Sequence, residues 1–313
     1  MLFTTLLCKA QPSGYRAFTT ADGLPSNSVY SCLEDNKGFL WVATDAGLAR
    51  FDGRRFRVFT THDGLPDNEV LDVLKEHNGR IWANCFKQSP AYFDEVKNHF
   101  VNAGEDSLLK HVQQGNNILY GVALPDGGIM FANHSAYILK NKRISIYKTG
   151  PKEDVFIVRK NDDGSLIKLG YTHKPGEITH DFKLYRFDGK RYTDSITVLR
   201  SRPGDIFSYA INERNFYIFN EAKGWCYIYS DIKDRPLSFK INYTRAPEPY
   251  SSYGFTSDSF YLIGFSGKIL FYDKKSLKPK YHIQGNYMPN SAYKDHKGNI
   301  WIGTIDKGLL CYE

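Results

Sequence analysis

From Ser28 to Phe59 apolar and polar residues alternate in short runs that turn residues keep interrupting: "SVYSCLE", "FLWVAT", "LARF" and "RFRVF". Period-two runs bounded by Asp, Asn and Gly predict strands, not helices. "EDNKG" turns the first run into the second, and "DAG" turns the second into the third. Asp52-Gly53 predicts a type I′ hairpin between the third and the fourth. The unit is therefore a set of antiparallel strands, A to D. Strand A alternates weakly and carries small residues, as suits a crowded central axis.

The unit repeats. Asp22-Gly23-Leu24-Pro25 returns 41 residues later as Asp63-Gly64-Leu65-Pro66. The same offset carries Asn27 to Asn68, Val29 to Val70, Leu33 to Leu74, Gly38 to Gly79 and Trp41 to Trp82. A period in the forties built from short strands is the signature of a β-propeller, with one four-stranded blade per repeat. The middle of the chain keeps the rhythm without the motif, in sets of strand-like runs over Ile118–Lys148, Asp154–Val198, Asp205–Ile241 and Tyr250–Ile283. "RFDG" at Arg50–Gly53 recurs at Arg186–Gly189. Near the C-terminus the motif returns, aligning Gly298 with Gly38, Trp301 with Trp41, Thr304 with Thr44 and Gly308 with Gly47.

That final repeat ends after strand C, while the chain opens on an orphan D-like strand, Tyr15–Thr20. An open ring would expose unpaired strand edges, which proteins avoid. Pairing Tyr15–Thr20 with Gly308–Tyr312 closes a seventh blade. The expected fold is all-β: a seven-bladed β-propeller closed by its N-terminal strand, one domain over residues 15–313. Residues 1–14, with the apolar run "LFTTLL" before Cys8-Lys9-Ala10, read as the remnant of a signal peptide.

"DGLPSNSVYSCLEDNKGFLWVATDAGLARFDG" and "NIWIGTIDKGLLCY" resemble the two-component regulator propeller repeat found in sensors of Bacteroidetes-type bacteria. The continuation "FTTHDGLPDNEV…NGRIW" resembles sensor histidine kinases with a single propeller. The resemblance covers roughly the first 94 residues and the last 24. It implies a periplasmic sensory domain, tethered to the inner membrane in the intact protein. A small β-sandwich, a transmembrane helix and a kinase would follow as its partners. No kinase histidine box or nucleotide-binding glycine pattern occurs in this chain. The expected role is thus a non-enzymatic, ligand-binding input to a downstream kinase. The alternatives are a propeller enzyme, either lyase or glycoside hydrolase, and a scaffold for homodimerisation.

Composition agrees with strands: 22 Tyr, 21 Phe and 4 Trp bring aromatic content to 15%, and aromatic residues favour half-buried sheet surfaces. The net charge of +7 is spread along the chain with no basic run, which argues against a nucleic-acid partner. The five cysteines form no CxxC. Cys32, Cys85 and Cys226 lie in strand-like runs and read as small buried hydrophobes. A Cys32–Cys311 bridge between neighbouring strands is the one disulfide the arrangement suggests. No segment reaches the ~18 apolar residues of a membrane span.

The repeated residues read as architecture. Gly23 and Gly64 supply positive φ, Pro25 and Pro66 fix the entry to strand A, and Asn27 and Asn68 bond nearby backbone. Trp41, Trp82 and Trp301, at one position of strand B, are expected to pack between blades, in preference to lining a sugar-stacking site. The carboxylates Asp22, Asp63, Glu34, Asp35 and Asp295 all stand in or beside turns. "DNKG", "NDDG" and "DHKG" lack the alternating oxygens of a calcium loop. His134, His173 and His180 read as loop residues, and no GxSxG elbow occurs. No catalytic residue, metal site or cofactor is expected. Variable loops on one face are where a propeller takes a ligand. The D-to-A connections, including the insert over residues 101–117, nominate His111, Arg202, Tyr250 and Tyr253 as ligand-binding candidates for a small molecule or oligosaccharide.

Overall fold

The computed structural model describes residues 14–112, 119–124, 126–133, 135–148, 154–160, 165–173, 180–188, 192–200, 207–211, 215–220, 224–229, 237–240, 250–264 and 266–313. Its strands form seven antiparallel sheets of four. Blade one is Val29–Glu34, Leu40–Thr44, Gly47–Phe51 and Phe56–Phe59. Blade two is Val70–Lys75, Ile81–Cys85, Ala91–Asp94 and His99–Val101. Blades three to six begin at Tyr120, Asp154, Phe207 and Tyr250 and keep the same up-and-down order. Blade seven joins Pro289–Lys294, Ile300–Thr304 and Leu309–Tyr312 to the N-terminal strand Arg16–Phe18. Arg16 pairs with Cys311, Ala17 with Leu310 and Phe18 with Leu309. The closure expected from the two incomplete ends is the one the chain makes.

The ring is held by what lies between blades. One apolar cluster joins Trp41, Leu48 and Phe59 of blade one to Val73, Ala83, Phe93 and Phe100 of blade two. Another joins Phe18, Trp301 and Leu309 of blade seven to Val29, Val42 and Phe51 of blade one. The same holds for blades six and seven, five and six, two and three, and three and four. A four-stranded sheet has two apolar faces and cannot cover either alone, so each blade is completed by its neighbours.

Strand A lies innermost: strand A of blade one contacts the A strands of blades two and seven. Its pairing with strand B slips by one residue at the same place in five blades, between Val29 and Ser31, Val70 and Asp72, Val155 and Ile157, Tyr250 and Ser252, and Pro289 and Ser291. A bulge at that point bends the strand and re-aims the side chain after it. The residue so placed is Ser in three of these blades, Asp72 in blade two and Ile157 in blade four.

The D-to-A connection is built twice to one plan. Thr19 and Thr60 open 3-10 turns, and Asp22 Oδ2 and Asp63 Oδ2 accept from their backbone N–H groups at 2.8 and 3.0 Å. Gly23 (φ 101°) and Gly64 (φ 90°) end these turns in the left-handed region. Asn27 Oδ1 accepts from Thr20 N at 3.0 Å, and Asn68 Oδ1 from Thr61 N at 2.9 Å.

Two local expectations need correction. Cys32 and Cys311 are both buried in the blade seven–blade one cluster, but each is a free thiol. They share an apolar cluster, where a thiol packs as a small hydrophobe without a bond. The Asp52-Gly53 turn is not type I′, which needs positive φ at both central residues. Only Gly53 has it, at 95°. Asp52 Oδ1 accepts instead from the N–H groups of Arg54 and Arg55, both at 2.7 Å, a side-chain bond that holds the turn in another form.

Candidate functional site

The A-to-B and C-to-D turns share one face of the ring, and two recesses lined by these turns open there. The mouth of the central channel on this face is a recess of about 540 Å³ lined by Glu34, Lys37, Lys75, Tyr293, Lys294 and His296. Its polar groups staple blades together. Lys75 Nζ donates to the Glu34 carbonyl at 2.8 Å, and Glu34 meets His296 Nδ1 at 2.6 Å. Lys294 reaches Asp258 of blade six at 2.9 Å, beside Lys280 at 2.7 Å. Burial pushes the Asp258 carboxyl up, but the two ammonium groups outweigh it and hold it well below the usual range.

Deeper in the channel stands Asp72. Burial raises its pKa to about 6, against the opposing bonds from Ser31 and Val73 N. The hydroxyls of Tyr120 of blade three and Tyr261 of blade six lie within its field, and burial pushes both phenols far up.

Between blades one and two the same face opens into a groove of about 750 Å³. Its aromatic residues include Phe39, Trp41, Tyr92 and Phe93, with Asn36 and Arg80 also lining it. Asp35 is fully engaged: Oδ1 accepts from Lys37 N and Phe39 N at 2.9 and 3.0 Å, and Oδ2 from Trp41 Nε1 at 2.8 Å. Asp94 accepts from Val96 N and Lys97 N. Lys37 of blade one and Glu95 of blade two form an exposed ion pair of 2.6 Å. Within this frame Arg50 lies over the rings of Phe39, Trp41, Phe59 and Phe93, with its guanidinium carbon 4.9 to 5.7 Å from their centroids. Among the described residues it makes no hydrogen bond and no ion pair.

The repeat itself does not require an arginine there. Arg50 pairs with Trp41, and the residues that pair with Trp82 and Trp301 are Tyr92 and Cys311. Arg186 occupies the corresponding place in blade four. Neither Arg50 nor Asp72 was singled out from the sequence. The available signals were the recurring "RFDG" and an acid where the repeat carries Ser31 and Ser291.

Of the residues nominated from sequence, His111 ends the 3-10 turn Leu109–His111 in the insert before blade three and is exposed. Tyr253 lies in strand A of blade six, half-buried, its ring 5.6 Å from that of Phe219. Tyr250 opens the same strand, its side chain lying outside the described residues, as does the whole of Arg202. His111 and Tyr253 therefore stand on well-separated blades, with no hydrogen bond or ring contact between them. Trp41, Trp82 and Trp301 are buried in the clusters between blades.

A closed ring of seven four-stranded sheets with a recessed face defines the class: a seven-bladed β-propeller. Residues 23–46 and 282–306 match the two component regulator propeller family, so the chain carries repeats of that family toward both of its ends. Histidine kinase P4 of Formosa agariphila is 43% identical over 56 residues, which are 17% of this chain and 4% of that protein. The extracellular domain of a hybrid two component system from B. thetaiotaomicron superposes with a TM-score of 0.63 at 17% identity. The match covers 95% of this chain and 41% of that one. Virginiamycin B lyase from Staphylococcus aureus superposes with a TM-score of 0.65 at 12% identity, covering 95% of this chain and 97% of the lyase. At such identities the structural likenesses establish the fold alone. The chain spans under half the length of the two-component proteins it matches.

Proposed function

We propose that this propeller is the input domain of a two-component sensor, lying in the periplasm and tethered to the inner membrane by other parts of the intact protein. The observation that carries the reading is the regulator-propeller match at two separate places in one closed ring. The extracellular placement of the B. thetaiotaomicron neighbour supports the compartment. In this role the ring binds a small molecule or oligosaccharide, or a protein surface, and passes the change to a downstream sandwich and kinase. It has no chemistry of its own and no nucleic-acid partner, and a homodimer would be the signalling unit.

The compartment is tested by fusing alkaline phosphatase after Glu313 in the native host. Active phosphatase is expected, and an inactive fusion at normal protein levels would sink the reading. The likeness to virginiamycin B lyase along nearly its whole length favours a lyase as second reading. Incubating the propeller with a streptogramin B, the compound in the name of another lyase of this fold, and following its conversion by liquid chromatography separates the two: no turnover is expected, and turnover would make it an enzyme.

A further inference from the structure

Every charged side chain lining the groove between blades one and two, Arg50 apart, has a hydrogen bond or an ion pair among the described residues, whereas Arg50 feels Asp35, Glu95 and Asp52 only at a distance. Asp35 and Asp94 accept from backbone or indole N–H groups, and Lys37 pairs with Glu95. Arg80 lies over the Tyr92 ring with Glu76 4.0 Å away. Arg50 alone has its N–H groups unmatched by any acceptor among the described residues. A guanidinium carries five such donors in a rigid fork that matches a carboxylate. The surrounding rings hold the fork by cation–π contact, which fixes its direction while leaving its edge donors unfilled. Partial burial and Arg57 press against its charge more than the distant Asp35, Glu95 and Asp52 support it, so a bound anion would relieve the excess.

The walls describe the rest of the ligand. Phe39 and Tyr92 are half-buried and present apolar surface to the groove. The exposed Asn36 amide has no partner among the described residues and can bond a hydroxyl. A groove of about 750 Å³ is the size of a small-ligand site. The Lys37–Glu95 pair joins its two sides, with both side chains about 60% exposed. Exposed pairs contribute little stability, so this one can part as a ligand enters.

We propose that this groove is a binding site for a hydroxylated carboxylate, a sugar acid, whose carboxylate is held bidentately by Arg50 and whose body lies against Phe39 and Tyr92. The proposal deepens the sensory reading by giving the ring a ligand chemistry. Its failure is separable, because the fusion reports compartment and the titration below reports only binding.

The experiment is calorimetric titration of the propeller with D-galacturonate and with D-galactose, which differ at the carboxylate. Galacturonate is expected to bind and galactose to bind at least about tenfold more weakly, as loss of a charge-assisted bidentate pair requires. Arg50→Met keeps the stem over the rings and is expected to abolish the preference for the acid. Arg50→Lys keeps the charge without the fork and is expected to fall between. Unfolding midpoints of both variants confirm that they fold, and either one suffices. Equal binding of the two sugars, unchanged galacturonate affinity in the variants, or no heat up to about 10 mM, where weak sites still fill, would each overturn the proposal.

Discussion

At the scale of single residues, the recurring pair of this ring is a carboxylate and an indole. Asp35 accepts from Trp41 Nε1 at 2.8 Å, and Asp295 from Trp301 Nε1 at 2.9 Å. Both Asp residues also accept from the backbone of their own turn, so one side chain fixes the turn and the strand beyond it. Burial raises the Asp295 pKa, and the bonds from Trp301 and Asn299 more than reverse that, leaving it below its ordinary value. Blade two departs from the plan with Glu76, one methylene longer, whose Oε2 turns to Asn78 Nδ2 at 2.9 Å. Trp82 Nε1 is left buried without a partner. Glu76→Asp is expected to restore the bond and add about 1 kcal/mol, typical of a net hydrogen bond. Thermal unfolding measures it, and an unchanged or lowered midpoint would contradict the account. The sequence showed these acids as turn residues, which they are. Their bond to an indole six residues on depends on strand B curling back over the turn, which spacing alone does not show.

Asp72 gives a second residue-scale expectation. Its pKa is 3.8 in a free chain and about 6 in the ring. The folded state therefore holds the proton more tightly between those values, so this carboxyl's contribution to stability falls as pH rises through that window and stays low above it. Asp258 and Asp295, with depressed pKa values, act in the opposite sense at lower pH. The informative quantity is thus the difference between wild type and Asp72→Asn. The variant is expected to gain on wild type as pH climbs from about 4 to about 6, by at most about 2 kcal/mol after allowing for solvent in the channel. Urea unfolding at several pH values reads it, and a pH-independent difference would remove Asp72 as its source.

At the scale of elements, the D-to-A connection and the closing strand carry the ring. Gly64 sits at φ 90°, and a Cβ there would collide with the Phe100 carbonyl and the His99 ring. Gly53 has φ 95° but open space around its missing Cβ. Gly64→Ala is therefore expected to destabilise clearly more than Gly53→Ala, the first adding a steric clash to the backbone strain both share. Equal losses in denaturant midpoint would show that strain alone matters. Phe18 is 3% exposed and packs against the rings of Phe51, Phe56 and Trp301. Phe18→Ala should cost about 3–5 kcal/mol, as for large aromatic residues in cores, measured by chemical unfolding. Strand existence and blade count were readable because period two and the turn residues are local signals. The form of the Asp52-Gly53 turn was not, because its choice rests on a side-chain bond to Arg54 and Arg55.

At the scale of the whole molecule, the apolar clusters between blades share one logic, and that logic was visible in the repeat before any coordinate. What escaped was everything facing the axis or the grooves, since Asp72, Tyr120 and Tyr261 meet there from different blades. Arg50 likewise gains its meaning from Phe93, a residue of the next blade. The thiols give a whole-molecule expectation. Cys32, Cys85, Cys226 and Cys311 are buried and in no disulfide, and burial pushes the Cys85 thiol up to about 12. Reductant should leave the unfolding midpoint unchanged, and a drop would reveal a bridge.

The strand Arg16–Phe18 is made before every complete blade and pairs with Leu309–Tyr312, made after them. During synthesis it must wait, unpaired, while every intervening blade is laid down. Closing so long a loop carries the largest entropic cost of any pairing in the molecule. The ring is therefore an assembly whose final joint also certifies that all seven blades have been laid down. A polypeptide that stops short leaves its last blade without a seam, open to the proteases that clear unfinished chains.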